Sequence, residues 1–167
     1  MYYIKYFIVF SILGFIMEST FYKVCGSSSN SGVLYGPWTL VYGLGGICIY
    51  ILNKSISNLN INNFYKLMLM FILFTIVCTL VEYIIGNLIY YIFSIDKWNY
   101  LKHPYHFGKY ICLDKSLTWG FLAIFITKII NPFIENLINI FSNKYCIILL
   151  LIIISDLVIS LWTKAYK

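Results

Sequence analysis

Apolar segments of helical length alternate with short polar or glycine-rich segments from one end of the chain to the other. A helix needs about 20 residues to cross the hydrocarbon core of a bilayer, and a longer apolar run crosses it with a tilt. The predicted spans are residues 2–24, 38–52, 64–95, 117–130 and 145–162. The pattern therefore predicts an all-α fold, a polytopic transmembrane helix bundle of about five spans. Residues 1–167 would form a single integral-membrane domain.

Three segments depart from a plain span. Residues 32–38, GVLYGPW, combine apolar side chains with two glycines and a proline, which predicts a re-entrant element of irregular backbone. Such backbone is tolerated at membrane depth only where protein or a cavity covers it. Asn131-Pro132 is a helix-start signal, and the amphipathic residues after it predict a helix at the membrane interface. Residues 53–63 are predicted to be a polar connector.

The composition agrees with a membrane protein and adds predictions about its surroundings. The chain is 61% hydrophobic and 11% charged, whereas soluble domains carry about 25% charged residues. Its net charge of +6 comes from lysines, which are dispersed rather than clustered, so membrane lipid and not nucleic acid is the predicted partner. The excess of Ile, Asn, Lys and Tyr is typical of an AT-rich genome and predicts a bacterial cytoplasmic membrane. The chain has no GxxxxGK[ST] motif for hydrolysing nucleoside triphosphates.

Three carboxylates inside the apolar runs are the main functional candidates. Glu18, Glu82 and Asp156 each lie in a predicted span, where an ionised group costs a few kcal/mol unless it has a partner, a proton or a water-filled cavity. We expect Glu18 and Glu82 to face the bundle interior and to share a polar cavity. The alternative is that they form hydrogen bonds that only fix helix packing. Ser155 and Ser160 lie beside Asp156 in the sequence and favour that alternative there.

The first and third loops should cap this cavity together. Each loop joins an odd-numbered span to the next, so both emerge on the same face of a five-span bundle. Their Gly, Tyr and Trp content favours covered, irregular backbone over free linkers. The candidate residues for a substrate or ion pathway in and beside these loops are Tyr35, Gly36, Pro37, Tyr42, Trp98, Tyr100, His106, Lys109 and Cys112.

Two interpretations of the histidine- and lysine-rich third loop stay open. His106 is a candidate general base and Lys109 a candidate clamp for a lipid phosphate, or the loop only contacts lipid headgroups. The five cysteines have no CxxC spacing, and the sequence predicts no metal site and no cofactor. A disulfide between Cys25 and Cys112 is compatible with their loops sharing a face.

Several fragments occur in the order found in one family. They are GFIMES, NSGVLYGPWTLVYGLG, EYIIG, WNY, FGKYICLDKSLTWG and SDLVIS. Over nearly its whole length the chain resembles the family described as putative ABC-transporter type IV, the CmpB-like permease family. The resemblance implies an integral-membrane component of a transporter. A separate ATPase subunit and further copies of the same chain, in a homo-oligomer, are its expected partners.

The chain departs from that family's pattern at three positions. Ser31 stands where the family has arginine, and Asn99 where it has aspartate. Lys109 replaces another arginine, which keeps the charge but not the bidentate fork of a guanidinium. Two interpretations of the loss of one basic and one acidic group stay open: a paired contact is absent here, or the chain is a degenerate family member with altered or lost activity.

Two functions from different classes follow. In the first, a permease translocates or handles a small or lipid-like substrate through a cavity lined by carboxylates. In the second, an integral-membrane enzyme acts on a lipid or lipid-linked substrate, and Glu18 and Glu82 converge with His106 and Lys109. The depth of the carboxylates relative to the third loop distinguishes the two.

Overall fold

The chain folds into a bundle of long helices joined by short connections. A computed structural model describes residues 1–26 and 32–164. Its helices are α1 (Tyr2–Val24), α2 (Leu40–Ser57), α3 (Asn63–Phe93), α4 (Leu113–Phe125), a π-helical turn (Ile126–Ile130), α5 (Asn131–Ile140) and α6 (Asn143–Lys164). Outside the helices, the described residues form one isolated antiparallel bridge between His106 and Cys112.

Five of these helical stretches are long and apolar enough to cross a membrane. Within the described part of the chain they are α1, α2, α3, the continuous run Leu113–Ile140, and α6. The prediction of an all-α polytopic bundle is therefore confirmed. The first predicted span has the same bounds as α1, and the third differs from α3 by one or two residues at each end.

The second helix is longer than predicted. It continues to Ser57, so the prediction that the polar connector begins at residue 53 was wrong. Ile56 explains the difference, because it is buried against α3 in a cluster with Met70 and Phe74. Lys66 Nζ also donates a hydrogen bond to Ser57 O, which holds the last turn of α2 to the first turn of α3.

The fourth helix also extends past its predicted limits. It begins at Leu113 and runs through the π-helical turn into α5, so the predicted interfacial helix is continuous with the fourth span. A π-turn accommodates extra backbone before Pro132, whose ring would otherwise clash with the preceding turn. Ile134 and Ile138 pack on α1 beside Tyr6. The location of α5 at a membrane interface stays a prediction.

Glycines let the first two helices approach closely. A Cβ at Gly43 would overlap the Ser11 hydroxyl, and one at Gly14 would overlap the ring of Tyr42. Small residues at such crossings are the usual way to bring membrane helices together. The crossing places Tyr42 of α2 one turn from Glu18 along α1, which begins to define the site described next.

Candidate functional site

A cavity of about 170 Å³ lies among α1, α2, α3 and the fourth helix. Glu18 of α1 and Glu82 of α3 both line it. The aromatic side chains on its wall are Phe10, Tyr22, Tyr42, Trp98, Tyr100 and Trp119. The described residues that line this cavity include no lysine and no histidine.

Glu82 is buried, with 6% of its surface exposed, and it accepts hydrogen bonds from two aromatic side chains. Tyr100 Oη donates to Oε1 at 2.8 Å, and Trp119 Nε1 donates to Oε2 at 3.0 Å. These two hydrogen bonds offset much of the free-energy cost of removing the carboxylate from water. Trp119 also packs edge-on against Tyr42, with ring centroids 5.7 Å apart. The four helices and the third loop thus meet around one carboxylate.

The third loop reaches Glu82 because α3 has a glycine, Gly86, one turn after this carboxylate, and the loop packs closely on the helix there. At Gly86 a Cβ would lie 3.0 Å from the Tyr110 ring and 3.1 Å from that of Trp98. Because Gly86 has no side chain, both rings pack against the helix backbone, and the Tyr100 hydroxyl lies within hydrogen-bond distance of Glu82. Gly86, the glycine of the EYIIG fragment, therefore supports the site through packing.

Glu18 is half-buried on α1 and lines two neighbouring cavities. The second cavity, of about 80 Å³, is bounded by Leu34 and Trp38 from the first loop and by Lys97 and Trp98 from the third. The two loops therefore meet at the same end of the bundle, as predicted. Glu18 lies at the boundary between the loop-covered cavity and the larger one.

Asp156 lies outside the larger cavity and holds the first loop instead. It is 9% exposed and accepts hydrogen bonds on both carboxylate oxygens. The donors are Tyr35 N at 3.1 Å and Ser160 Oγ at 3.2 Å to Oδ1, and Gly36 N and Trp38 Nε1, each at 2.8 Å, to Oδ2. A carboxylate has about four acceptor sites, so this loop and α6 saturate it.

The segment predicted to be re-entrant is irregular backbone that protein covers in part, since Leu34 and Trp38 are buried whereas Tyr35 and Pro37 are exposed. Pro37, which has no N–H, lies between the donors Gly36 and Trp38. Thr39 N donates to Ser11 O of α1 at 3.0 Å, and the ring of Trp38 fills the space where a Cβ on Gly36 would lie. Buried backbone groups need such partners away from water. Ser31, the position of the missing family arginine, lies outside the described residues.

An ion pair fixes the third loop at its other end. Lys109 Nζ lies 2.6 Å from Asp96 Oδ1 and 4.0 Å from the centroid of the Tyr90 ring, and Tyr110 Oη donates to the same Asp96 oxygen at 2.9 Å. The hydrogen bond from the ammonium lowers the pKa of Asp96 below 3.8, and the same bond raises the pKa of Lys109 above 10.5. Lys109 is therefore engaged within the loop.

The remaining candidates in the third loop have local partners. His106 is exposed, and its backbone pairs with that of Cys112. Cys112 is buried and donates to Asp114 Oδ1 at 2.6 Å. All five cysteines are free thiols, so the disulfide between Cys25 and Cys112 is not formed. Asn99 Oδ1 accepts a bond from Leu101 N at 3.0 Å, and an aspartate at this position would offer the same acceptor.

The structure divides the predicted site residues into three groups. Glu18, Tyr42, Glu82, Trp98 and Tyr100 line the larger cavity. The second group lies in the first-loop segment that Asp156 holds and comprises Tyr35, Gly36 and Pro37. The third group lies in the third loop away from the cavity wall and comprises His106, Lys109 and Cys112. Sequence reasoning missed Trp119 and Tyr22. An indole N–H at the start of a span that follows a carboxylate-bearing span is the signal that would have indicated Trp119.

The family model described as putative ABC-transporter type IV matches residues 5–163. This match covers nearly the whole chain, so the chain belongs to that family. The family match and the five membrane-length helices together indicate a multi-pass membrane protein. Comparison with curated proteins and with solved structures gives no match.

Proposed function

We propose that this family member is the membrane-embedded component of an ABC transporter and that the Glu18–Glu82 cavity receives a small cationic ligand. One observation carries the proposal. Two of the cavity's described lining residues are acidic and none is basic, in a chain whose net charge is +6. Carboxylates in a low-dielectric site attract a cation far more strongly than they would in water.

The aromatic wall supports the same ligand class. Trp and Tyr faces attract organic cations by about 0.5–2 kcal/mol each, depending on how fully the cation is desolvated. Tyr42, Trp98 and Trp119 contribute such rings to the cavity. The apolar groups of a protonated amine or a quaternary ammonium would therefore contact the aromatic rings, and its positive charge would lie near a carboxylate.

The size of the cavity favours a small ligand over a lipid. An engineered protein cavity of about 150 Å³ holds a molecule the size of benzene, and this cavity has about 170 Å³. A ligand of several heavy atoms fits, whereas a lipid acyl chain does not. We further propose that a separate ATPase subunit supplies energy, that the protein resides with its lipids in a bacterial cytoplasmic membrane, and that it assembles there as a homo-oligomer.

The geometry gives less support to an enzyme. Tyr100 brings the third loop down to the level of Glu82, which is the depth expected for catalysis. However, the described lining contains neither His106 nor Lys109, so the base and the anion clamp that lipid chemistry would need do not converge on the carboxylates. Transport of a cation needs neither group.

Binding of tetramethylammonium to the purified protein in detergent tests the proposal. Trp98 and Trp119 line the cavity, so their fluorescence should report saturable binding, whereas the neutral isostere 2,2-dimethylpropanol should bind much more weakly. Glu18→Gln should weaken binding by about tenfold or more, the effect of losing one charge contact worth about 1.4 kcal/mol.

Glu135→Gln is the matched control, because Glu135 lies on α5 outside the cavity, where it accepts hydrogen bonds from Tyr6 of α1 and from Asn131. It should leave the affinity unchanged. Equal affinity for the cation and its neutral isostere, or an unaltered affinity in Glu18→Gln, would overturn the proposal. Melting temperatures of both variants show whether each one is folded.

A further inference from the structure

Three side chains of different chemistry converge beside the third loop, away from the Glu18–Glu82 cavity. His103, Cys112 and Asp114 each place one potential metal-ligating atom so that all three atoms lie within 4.8 Å of one another. The Cys112 side chain is buried, whereas His103 and Asp114 are exposed. The cluster thus has a protein-covered side and a side open to solvent.

The backbone of the loop holds these residues together before any ligand arrives. Phe107 N donates to Ile111 O at 2.8 Å, Leu113 N donates to Tyr105 O at 3.2 Å, and the backbones of His106 and Cys112 form a bridge. Tyr105 and Gly108 take left-handed φ values of 58° and 70°, which turn the chain back on itself. Residues nine to eleven positions apart are thereby placed side by side.

Residues 101–108 at the tip of the loop are exposed, whereas Tyr110 is buried on α3. The exposed residues at this tip include three large apolar side chains, those of Leu101, Tyr105 and Phe107. Small protein units with little apolar core commonly gain stability from a disulfide or a metal ion. Cys112 forms no disulfide, and a metal ion would crosslink the exposed tip of the loop to the start of α4.

We propose that His103, Cys112 and Asp114 bind a divalent transition metal of the zinc class. Imidazole, thiolate and carboxylate are all zinc ligands, whereas magnesium and calcium prefer oxygen alone. Three protein ligands leave a fourth tetrahedral position for water on the exposed side.

The three potential ligand atoms already lie close together, within 4.8 Å of one another. Cys112 Sγ donates its proton to Asp114 Oδ1 at 2.6 Å, and a metal would replace that proton, which would pass to solvent. Lys115 contacts the other carboxylate oxygen, Oδ2, at 3.4 Å, and so leaves Oδ1 to the cluster. Cys112 is the N-cap of α4 and Asp114 lies in its first turn, where the helix dipole stabilises the anionic forms that bind metal.

Titration of the purified full chain with Co²⁺ tests this site. We expect saturable visible bands of tetrahedral cobalt and a thiolate-to-cobalt charge-transfer band, both displaced by Zn²⁺. His103→Gln and Asp114→Asn change exposed side chains, so both variants should fold and yet bind Co²⁺ at least about tenfold more weakly. Cys112→Ser should lose the charge-transfer band.

Two matched controls separate this cluster from other histidines and thiols. His106→Gln alters the neighbouring exposed histidine, and Cys25→Ser removes the exposed thiol at the end of α1; both should retain the full cobalt spectrum. Absence of a charge-transfer band in the wild type would overturn the proposal. Its persistence in Cys112→Ser, or its loss in either control, would do the same. The result does not depend on binding of a cation in the Glu18–Glu82 cavity.

Discussion

Asp156 and Glu82 are both buried carboxylates that hold a loop against a helix, and they differ in how completely that loop occupies them. Asp156 accepts four hydrogen bonds from the first loop and α6. Glu82 accepts bonds from Tyr100 and Trp119 and also borders a cavity. A carboxylate offers about four acceptor sites, so Asp156 is a structural anchor, while Glu82 keeps acceptor capacity on the cavity side.

The two anchors share one design. In each case an indole N–H from near the start of a helix donates to the carboxylate, Trp38 to Asp156 and Trp119 to Glu82. The first loop adds backbone N–H groups, which belong to the loop itself and cannot be exchanged for a ligand without unfolding it. The third loop adds only the Tyr100 side chain. Burial of a membrane carboxylate therefore does not by itself indicate a ligand site.

Removing the saturated anchor should have the largest effect. Asp156→Ala leaves two backbone N–H groups and the Trp38 indole N–H without their acceptor, and unsatisfied buried donors cost about 1–3 kcal/mol each. We expect the free energy of unfolding in detergent micelles to fall by about 3 kcal/mol or more. Asp156→Asn retains an acceptor oxygen and should lose less. A stability equal to that of the wild type in Asp156→Ala would contradict the anchor role.

A smaller effect should follow from loosening Glu82. Tyr100→Phe removes one hydrogen bond to a carboxylate, which is worth about 1.5–3 kcal/mol, but the second donor and the cavity can compensate in part. We expect a loss of about 1–2 kcal/mol in unfolding free energy and an altered affinity for tetramethylammonium.

Tyr35→Phe is the matched control for that change. The Tyr35 hydroxyl pairs with Thr163 in an exposed position at 2.9 Å, where loss of the bond should cost at most about 0.5 kcal/mol. Thermal unfolding measures both variants in the same detergent. If Tyr35→Phe proved the more damaging of the two, the contrast between the loops would be wrong.

The smallest effect should come from pH and should appear in the third loop. The pKa of Asp96 is lowered by the Lys109 ammonium, so its ion pair contributes stability above the unfolded value of 3.8, and the contribution is lost as pH falls through the lower folded pKa. The pKa of Lys109 is raised above the unfolded value of 10.5, so the same contribution is complete below 10.5 and is lost as pH rises through the higher folded pKa. Residues 32–39 of the first loop contain no Asp, Glu or Lys.

Melting temperatures of the wild type and Asp96→Asn, compared across pH, measure this contribution. The difference between them should be present near neutral pH and should shrink towards zero below the folded pKa of Asp96. Because the pair is partly exposed, with 28% and 36% of the two side chains accessible, the difference should also decrease in high salt. A difference that is constant from neutral to strongly acidic pH would show that the pair does not act through charge.

Much of the fold could be predicted because hydropathy acts locally. In a membrane the backbone must satisfy its hydrogen bonds within each segment, so apolar length alone indicates a helix, and the bounds of α1 were correct. Errors occurred where a tertiary contact decides the end of a helix. Ile56, buried against α3, extends α2, and the π-turn before Pro132 joins two helices that the proline signal separated.

Residue types and segment lengths are enough to indicate a helical membrane protein whose buried carboxylates need partners, and the family match also follows from the sequence. The cost of a charge in hydrocarbon follows from residue type and segment length alone. Which partners each carboxylate received depends on the tertiary structure, because Asp156 and its donors in the first loop are about 120 residues apart in the chain. Hydrogen bonds act over about 3 Å, so a role as anchor or as cavity wall depends on helix packing, which no local pattern records.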